Sequence, residues 1–466
     1  MAEKRTTRKI NPGPGNNYRA RVRMYRQGFG DCLLVFLPRD HGEKDYTILI
    51  DCGVFVGTPD GSRLMRQVMA DVLTATGGRL DLLIATHEHW DHVSGFIQAE
   101  EDFAKLAVDE TWLGWPEDPD DDSARGLVKE RNALAAALRL AQSGLELAGD
   151  QKTAGEVAGL LGFFGAAGST SGAFDAVREK TDNVSYKRPT DAPARPDGAK
   201  ARLYVLGPPI DPRMLSRSNP SRSHPETYDL EAANIFLNDL GDALTDQRAT
   251  PFVARLGISL AVASGLDFFK AHYFDEPQPV AEERSDKFQE ELGNDWRRID
   301  ADWLASAASF ALKLDQATNN TSLVLAIELG DEPGKGDVLL FAADAQVGNW
   351  LSWQDLAWQV DGRKVTGPDL IARTVLYKVG HHGSHNATLR EMGLETMDNL
   401  QTALVPVDEA FAHDKRHWPI PLPGLMESLA EKAQTAVARS DKGIAAAPGA
   451  SLTNIKETEL WIEVQL

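Results

Sequence analysis

Thr86-His87-Glu88-His89-Trp90-Asp91-His92 carries three histidines and an aspartate in the order H-x-H-x-D-H. Neutral imidazoles and carboxylates are the ligands of borderline-soft divalent cations, and a protein-held cation needs three or four of them. His87 and His89 suit one cation, while Asp91 and His92 suit a second, so the stretch is half of a site. The run Leu80-Asp81-Leu82-Leu83-Ile84-Ala85 just before it reads as a buried strand that delivers the loop. The plain alternative is a surface turn of polar residues. So many ligand types directly behind a buried strand argue against that.

A second half stands far along the chain. The spans 46–50 and 80–85 read as strands that end at Asp51 and at the histidine cluster. Later, Phe341-Ala342-Ala343-Asp344 and Val379-Gly380-His381-His382-Gly383-Ser384-His385 repeat that order of strand, aspartate, strand and histidines. Two such βα halves facing each other would bring both ligand loops to one edge of a two-sheet sandwich.

These motifs resemble the metallo-β-lactamase superfamily. Tyr46-Thr47-Ile48-Leu49-Ile50-Asp51-Cys52-Gly53 looks like its strand ending in an aspartate and a glycine turn, and 341–344 looks like its strand ending in the carboxylate that bridges two metals. The H-H-G-S form at 381–384 narrows the resemblance. So do Gly28-Phe29-Gly30-Asp31-Cys32 and Asn320-Thr321-Ser322-Leu323-Val324-Leu325. Together they point to the branch of the hydrolase domain of the competence protein ComEC and its soluble relatives. The resemblance implies an αββα four-layer sandwich of the α/β class, interrupted here by helical insertions.

It also implies roles. His87 and His89 are assigned to a first metal; Asp91, His92 and one of His381 or His382 to a second, with Asp344 bridging. His382 is the preferred ligand, which leaves His381 as its neighbour on the substrate side. Two divalent cations fit this set, zinc best, with manganese or iron open. Asp51 is expected to orient a ligand histidine. Asp91 and His381 are also placed in the catalytic group. Ser384, Asn386 and Asn320 are candidates for substrate contact, against ordinary turn hydrogen bonding.

The first metal is short of a ligand. Most superfamily members supply a third histidine from the strand end that here reads Leu206-Gly207-Pro208-Pro209, and none stands there. His224, in a loop rich in Arg and Ser, is the nearest substitute. Downstream, Lys415-Arg416-His417-Trp418-Pro419 resembles the branch's N-x-x-G-H-P segment, with Arg416 in place of Gly, and Ser440-Asp441-Lys442-Gly443 resembles its Thr-Asp-x-x-Gly stretch. His417 is thereby placed at the mouth of the site as a substrate binder or proton donor.

At 466 residues the chain suggests about three domains at ~150 residues each. Ligands at both ends of the chain must nevertheless meet in one core. The reading is a single domain over 18–466, a flexible lead-in over 1–17, and two helical insertions over 100–200 and 211–317. Residues 100–122 read as an acidic, exposed loop and 127–145 as an amphipathic helix. In the strand beginning near residue 18, Arg19, Arg21 and Arg23 read as a solvated face. Cys32 and Cys52, without C-x-x-C spacing, read as buried free thiols.

No run approaches the ~20 apolar residues of a membrane helix, and the basic residues 1–9 lack the apolar core of a signal peptide. A cytoplasmic protein without a membrane partner is expected. The net charge of −20, from 49 basic and 69 acidic residues, argues against long-footprint nucleic-acid binding, which depends on Lys and Arg contacts to phosphate. A metal-dependent phosphodiesterase acting on a nucleotide or a nucleic-acid end is the leading expectation. Hydrolysis of another ester, a thioester or a lactam at the same metals is the second. A sensor or docking module, with a protein partner on the insertions, is the third.

Overall fold

A computed structural model of the protein describes residues 18–40, 44–148, 151–165, 169–220, 227, 307–416 and 418–466. The lead-in over 1–17, most of the second insertion, His224 and His417 lie outside the described residues. The chain divides into two compact units: Met1–Asn132 with Gly162–Leu230 and Leu314–Leu466, and Ala133–Leu161 with Glu231–Lys313. Both sheets and the site belong to the first. In the second, the helix Gln151–Leu161 buries Ala154, Val157 and Leu161, a stripe at helical spacing.

The first sheet opens with β1 (Arg21–Tyr25), β2 (Leu33–Leu37), β3 (Tyr46–Ile50), β4 (Arg79–Ile84), β5 (Ala107–Gly114) and β6 (Val184–Lys187). The chain crosses to the second sheet with β7 (Ala201–Gly207), β8 (Val324–Leu329) and β9 (Val338–Phe341). A hairpin of β10 (Ala357–Val360) and β11 (Arg363–Thr366) follows, then β12 (Thr374–Lys378), β13 (Thr402–Val405), β14 (Ala436–Arg439) and β15 (Gly443–Ala446). β16 (Ile455–Glu457) and β17 (Trp461–Gln465) return to the first sheet. The strand orders are β16-β17-β1-β2-β3-β4-β5-β6 and β15-β14-β13-β12-β9-β8-β7.

The layers follow from the two-residue period of the strands. In β2, Leu33, Val35 and Leu37 face the second sheet and pack with Leu203, Leu325 and Leu376. Leu34 and Phe36 face the other way, onto Met65, Val68 and Val72 of the helix Gly61–Thr76. The outer face of the second sheet packs Tyr204, Leu340 and Tyr377 on Trp350 and Trp353 of the helix Val347–Trp353 and on Leu425 of the helix Pro423–Lys432. Helices thus cover both outer faces, which is the expected αββα sandwich. Among the described residues, no helix is long and apolar enough to cross a membrane.

The repeated halves appear as two pairs of adjacent parallel strands, β3 with β4 and β9 with β12. Their carboxyl ends deliver Asp51, the 86–92 loop, Asp344 and the 380–383 turn, the position where open α/β sheets bind ligands.

Two expectations are corrected. Residues 100–122 are not an exposed loop: they hold the helix Glu100–Lys105 and then β5, whose parallel partners are β4 and β6. Both β5 and β6 fall inside the stretch read as the first insertion, so the core sheet runs into it. The acidic residues hid β5, yet each has a partner: Asp109 pairs with Arg79 at 2.7 Å, and Glu110 accepts from Trp112 Nε1 at 2.7 Å and Ser185 Oγ at 3.1 Å. Nor is the arginine face of β1 solvated. β17 lies beside it and sets Glu463 opposite Arg23, which pairs with it at 2.7 Å and lies 4.1 Å over the Trp461 ring. Cys32 and Cys52 are buried free thiols, as expected.

Candidate metal centre

His89 ends the extended segment after β4, and its carbonyl accepts from the N–H groups of His92 and Val93 at 3.1 Å each, opening the short helix Trp90–Val93. Asp91 and His92 therefore project from a first helical turn while His87 and His89 precede it. Two further loops clamp this turn by its backbone. Asp31 N donates to Asp91 O at 3.0 Å, Cys52 N to His92 O at 2.8 Å, and Gly53 N to Asp31 O at 2.9 Å. Side chains have no room there: a Cβ on Gly53 would sit 2.2 Å from Asp91 C. Asp51, Ala343, His381 and His382 all take positive φ, between 41° and 55°. Non-glycine residues adopt that conformation only where the surroundings enforce it, and here all four belong to ligand-bearing loops.

The loops bring together Asp91, His92, Asp344 and His382, whose ligand atoms lie within 4.8 Å of one another. His92 Nε2 is 3.1 Å from Asp344 Oδ2, and His382 Nε2 is 3.0 Å from Asp91 Oδ2 and 3.7 Å from Asp344 Oδ2. All four are fully buried. Both Asp344 oxygens, Asp91 Oδ1 and His92 Nε2 have no hydrogen-bond partner. Buried lone pairs converging without donors suit a divalent cation.

The hydrogen-bond network fixes how each histidine is turned. His92 Nδ1 donates to Asp51 Oδ2 at 2.8 Å, and Asp51 also accepts from Thr86 N at 2.8 Å and Thr86 Oγ1 at 2.7 Å. His382 Nδ1 donates to Pro406 O at 2.8 Å. His87 Nδ1 donates to Thr86 Oγ1 at 3.0 Å, since that hydroxyl's proton is engaged by Asp51. In its neutral form each of these rings so presents a bare Nε2. His87 Nε2 faces His89 Nδ1 at 3.1 Å, a second pair of ligand atoms beside the first cluster.

The electrostatics suit a site that could hold a cation. Burial, then His92 and His89, hold His87 well below the ordinary histidine value, and burial above all holds His89 at about 3. Both are thus in the neutral, ligating form. Burial also pushes His92 and His382 down, but Asp344 and the neighbouring carboxylates outweigh it and raise both. Burial pushes Asp344 up, and His92 and His382 more than reverse it. Imidazolium protons thus neutralise the carboxylates when no metal is bound. A cation entering here must displace them, so its affinity is expected to rise with pH through the raised histidine range. Calorimetric titration with zinc in two buffers of different ionisation enthalpy should show net proton release. Uptake without release would rule out that charge state.

Several residues at the centre went unnoticed in the sequence. Lys378 is buried, pairs with Asp31, donates to Ala343 O at 2.9 Å and stands 3.7 Å from Asp344 Oδ1. Its signal was a lysine at the end of an otherwise apolar strand. Asp315 and Asn319, on the helix Ala307–Asn319, reach His89 and His381. Nothing in their spacing marked them.

His381 Nδ1 lies 2.8 Å from Ser384 Oγ, which donates to Asn386 Oδ1 at 3.0 Å; the ring therefore donates to Ser384, and its Nε2 is 3.3 Å from Asn319 Nδ2. Asn386 Nδ2 donates to Ser218 O and Asn320 Nδ2 to Arg217 O, each at 3.0 Å, so both amides tie residues 217–218 to the site. The strand end lacking the third histidine is packed, with Pro208 O accepting from Trp115 Nε1 at 3.2 Å.

Aromatic rings cover the centre. Phe29 lies 4.1 Å from the His382 ring, Phe164 4.9 Å from His89, and Trp418 stacks on Phe163 at 5.2 Å. Trp418 is also 5.8 Å from Phe29, which places the neighbour of His417 beside the site. Arg416 lies 4.8 Å over Phe55 and donates to Val56 O at 3.0 Å. A cleft of about 400 Å³ lined by Glu88, Glu117, Lys129 and Arg131 touches the 86–92 loop through Glu88 alone.

The model of the metallo-beta-lactamase superfamily matches residues 25–157, the span that contains β2 to β5 and the whole H-x-H-x-D-H loop. Among curated proteins, none matches the sequence.

Proposed function

We propose that the protein is a dinuclear metal-dependent hydrolase that cleaves a phosphodiester bond in a nucleotide or at a nucleic-acid end. The observation that carries this reading is the convergence of Asp91, His92, Asp344 and His382 within 4.8 Å, beside the His87–His89 pair. A pair of divalent cations there, zinc by its donor set, supplies charge neutralisation for both the attacking and the leaving oxygen of a displacement. The H-H-G-S resemblance to the ComEC branch favours phosphodiesters, and the charge of −20 favours small ones.

The chain's own residues do the rest. Asp344 would help to hold both cations, and Asp51 and the Pro406 carbonyl hold His92 and His382 in the ligating tautomer. His381 stands on the substrate side of His382, held there by Ser384 at Nδ1 and by Asn319 at Nε2. His417 supplies a proton to the leaving oxygen. The helical insertions serve as a surface for a protein partner, and the protein works in the cytoplasm.

The deciding experiment is turnover by zinc- and manganese-loaded protein of bis(4-nitrophenyl) phosphate, a thioester and a chromogenic lactam, with Asp91→Ala as control. Hydrolysis of the phosphodiester, lost in the control, is the expected result. Turnover of only the thioester or the lactam would replace the bond assignment. No turnover by fully loaded protein would leave the non-catalytic reading.

A further inference from the structure

His87, His92 and His382 each have an oxygen behind the ring nitrogen that points away from the site: Thr86 Oγ1 at 3.0 Å, Asp51 Oδ2 at 2.8 Å and Pro406 O at 2.8 Å. His89 is the exception. Its Nδ1 faces His87 Nε2 at 3.1 Å. Two imidazole nitrogens on one tetrahedral zinc, each at ~2.0–2.1 Å, stand ~3.4 Å apart. Nδ1 is therefore the ligating atom, and Nε2 points away, buried and without a hydrogen-bond partner.

A second orphan atom stands near it. Asp315 Oδ1, also buried and without a hydrogen-bond partner, is 3.9 Å from His89 Nε2. The other oxygen, Oδ2, accepts from Asn319 Nδ2 at 3.3 Å. The two residues are one turn apart on the helix Ala307–Asn319, where side chains at that spacing are neighbours. The Asn319 amide so fixes the carboxylate and leaves Oδ1 for the imidazole. A shift of ~1 Å brings the pair to hydrogen-bond distance. Burying both groups without that contact is costly, whereas making it satisfies both.

We infer that Asp315 is a positioning residue for the first cation: it accepts the Nε2 proton of His89 and thereby turns Nδ1 onto the metal. The inference rests on the metal-hydrolase reading above. It gives His89 what Asp51 gives His92, a carboxylate behind the imidazole that fixes the tautomer and raises its basicity. It bears on the ligand shortage of the first site. Where the strand end at 206–209 offers no third histidine, the orientation of the two that remain matters more.

The test is metal binding by the full chain, read without turnover. Zinc stoichiometry and affinity are measured by chelator competition, and ligand geometry by the visible spectrum of the cobalt-substituted protein. The variants are Asp315→Ala, Asp315→Asn and His89→Ala. Asp315→Ala is expected to weaken one of two ions ~10–100-fold and leave the other unchanged. Asp315→Asn keeps an acceptor oxygen, so its loss should be smaller, whereas His89→Ala should lose that ion outright. Circular dichroism and thermal melting of the metal-free proteins should not fall with Asp315→Asn, because the amide keeps the shape of the side chain and removes a buried charge whose hydrogen bond is to a neutral amide, Asn319. Unchanged affinity in Asp315→Ala would overturn the inference. So would an Asp315→Asn loss as complete as that of His89→Ala, which would make Asp315 a ligand. Wild-type protein that holds two ions alongside either result would leave the metal reading standing. Wild-type protein that binds none would end both.

Discussion

Asp344→Asn is expected to strip the protein of both metal ions and of turnover together. The Asp344 carboxylate lies 3.1 Å from His92 Nε2 and 3.7 Å from His382 Nε2 by one oxygen, and 3.7 Å from Lys378 Nζ by the other. It is the acceptor on which the centre's positive groups converge, and both its oxygens lack a hydrogen-bond donor. Asparagine keeps the shape, removes the charge and turns an N–H donor toward the cations. Breaking one partner out of a buried ionic set costs about 3–5 kcal/mol, which corresponds to ~10²–10³-fold or more in cation affinity. Asp51→Ala removes only the acceptor behind His92 and should cost ~10–100-fold. Metal content of the two variants after mild chelation orders them. If Asp51→Ala loses more metal than Asp344→Asn, the bridging assignment belongs elsewhere.

Gly53→Ala should damage the centre almost as badly, although Gly53 ligates nothing. A methyl group there would lie 2.2 Å from Asp91 C, 2.3 Å from Asp91 O and 2.4 Å from His92 N, all backbone atoms of the ligand loop. No side-chain rotation relieves that, so the loop itself must move. It is held by Asp31 N at 3.0 Å and Cys52 N at 2.8 Å, so moving it also breaks those bonds. Overpacking of this kind costs about 1–3 kcal/mol or more, and it displaces Asp91 and His92 from their partners. The expected outcome is a lower melting temperature together with loss of the ion held by Asp91, His92 and His382. Gly126→Ala is the control. It sits inside the helix Asp122–Ala148 with nothing within 4 Å of its added carbon, and should gain ~0.5–1 kcal/mol of helix stability. A Gly53→Ala protein with wild-type melting and full metal would show that the loops do not approach so closely.

The strands that frame the centre were legible because their signals are local. The apolar runs at 46–50 and 80–85 match β3 and β4 within a residue, and 341–344 and 379–385 sit where β9 and β12 end. Each is a few consecutive residues whose burial dictates their type. β5 was not legible, because Asp109 and Glu110 interrupt its apolar pattern and find partners in Arg79, Trp112, Ser185 and Lys187, which the fold supplies. The arginines of β1 misled in the opposite sense: alternation gave their face, but nothing local shows that β17, at the far end of the chain, would cover it.

The same division runs through the centre. The sequence by itself determined the ligand types, their grouping in two loops and the carboxylates at two strand ends, since a ligand loop must place its donors within a few residues of one another. Only the tertiary structure decided which atoms meet. His382 and Asp91, 291 positions apart, come within 3.0 Å because parallel pairs in two facing sheets end at one edge. The tertiary structure also decided what stands behind the ligands: Lys378 paired with Asp31, and Asp315 aimed at His89. A lone aspartate on a helix or a lone lysine on a strand has no spacing to announce it. Its role comes from burial beside unlike partners, a property of the packed chain that no stretch of sequence contains.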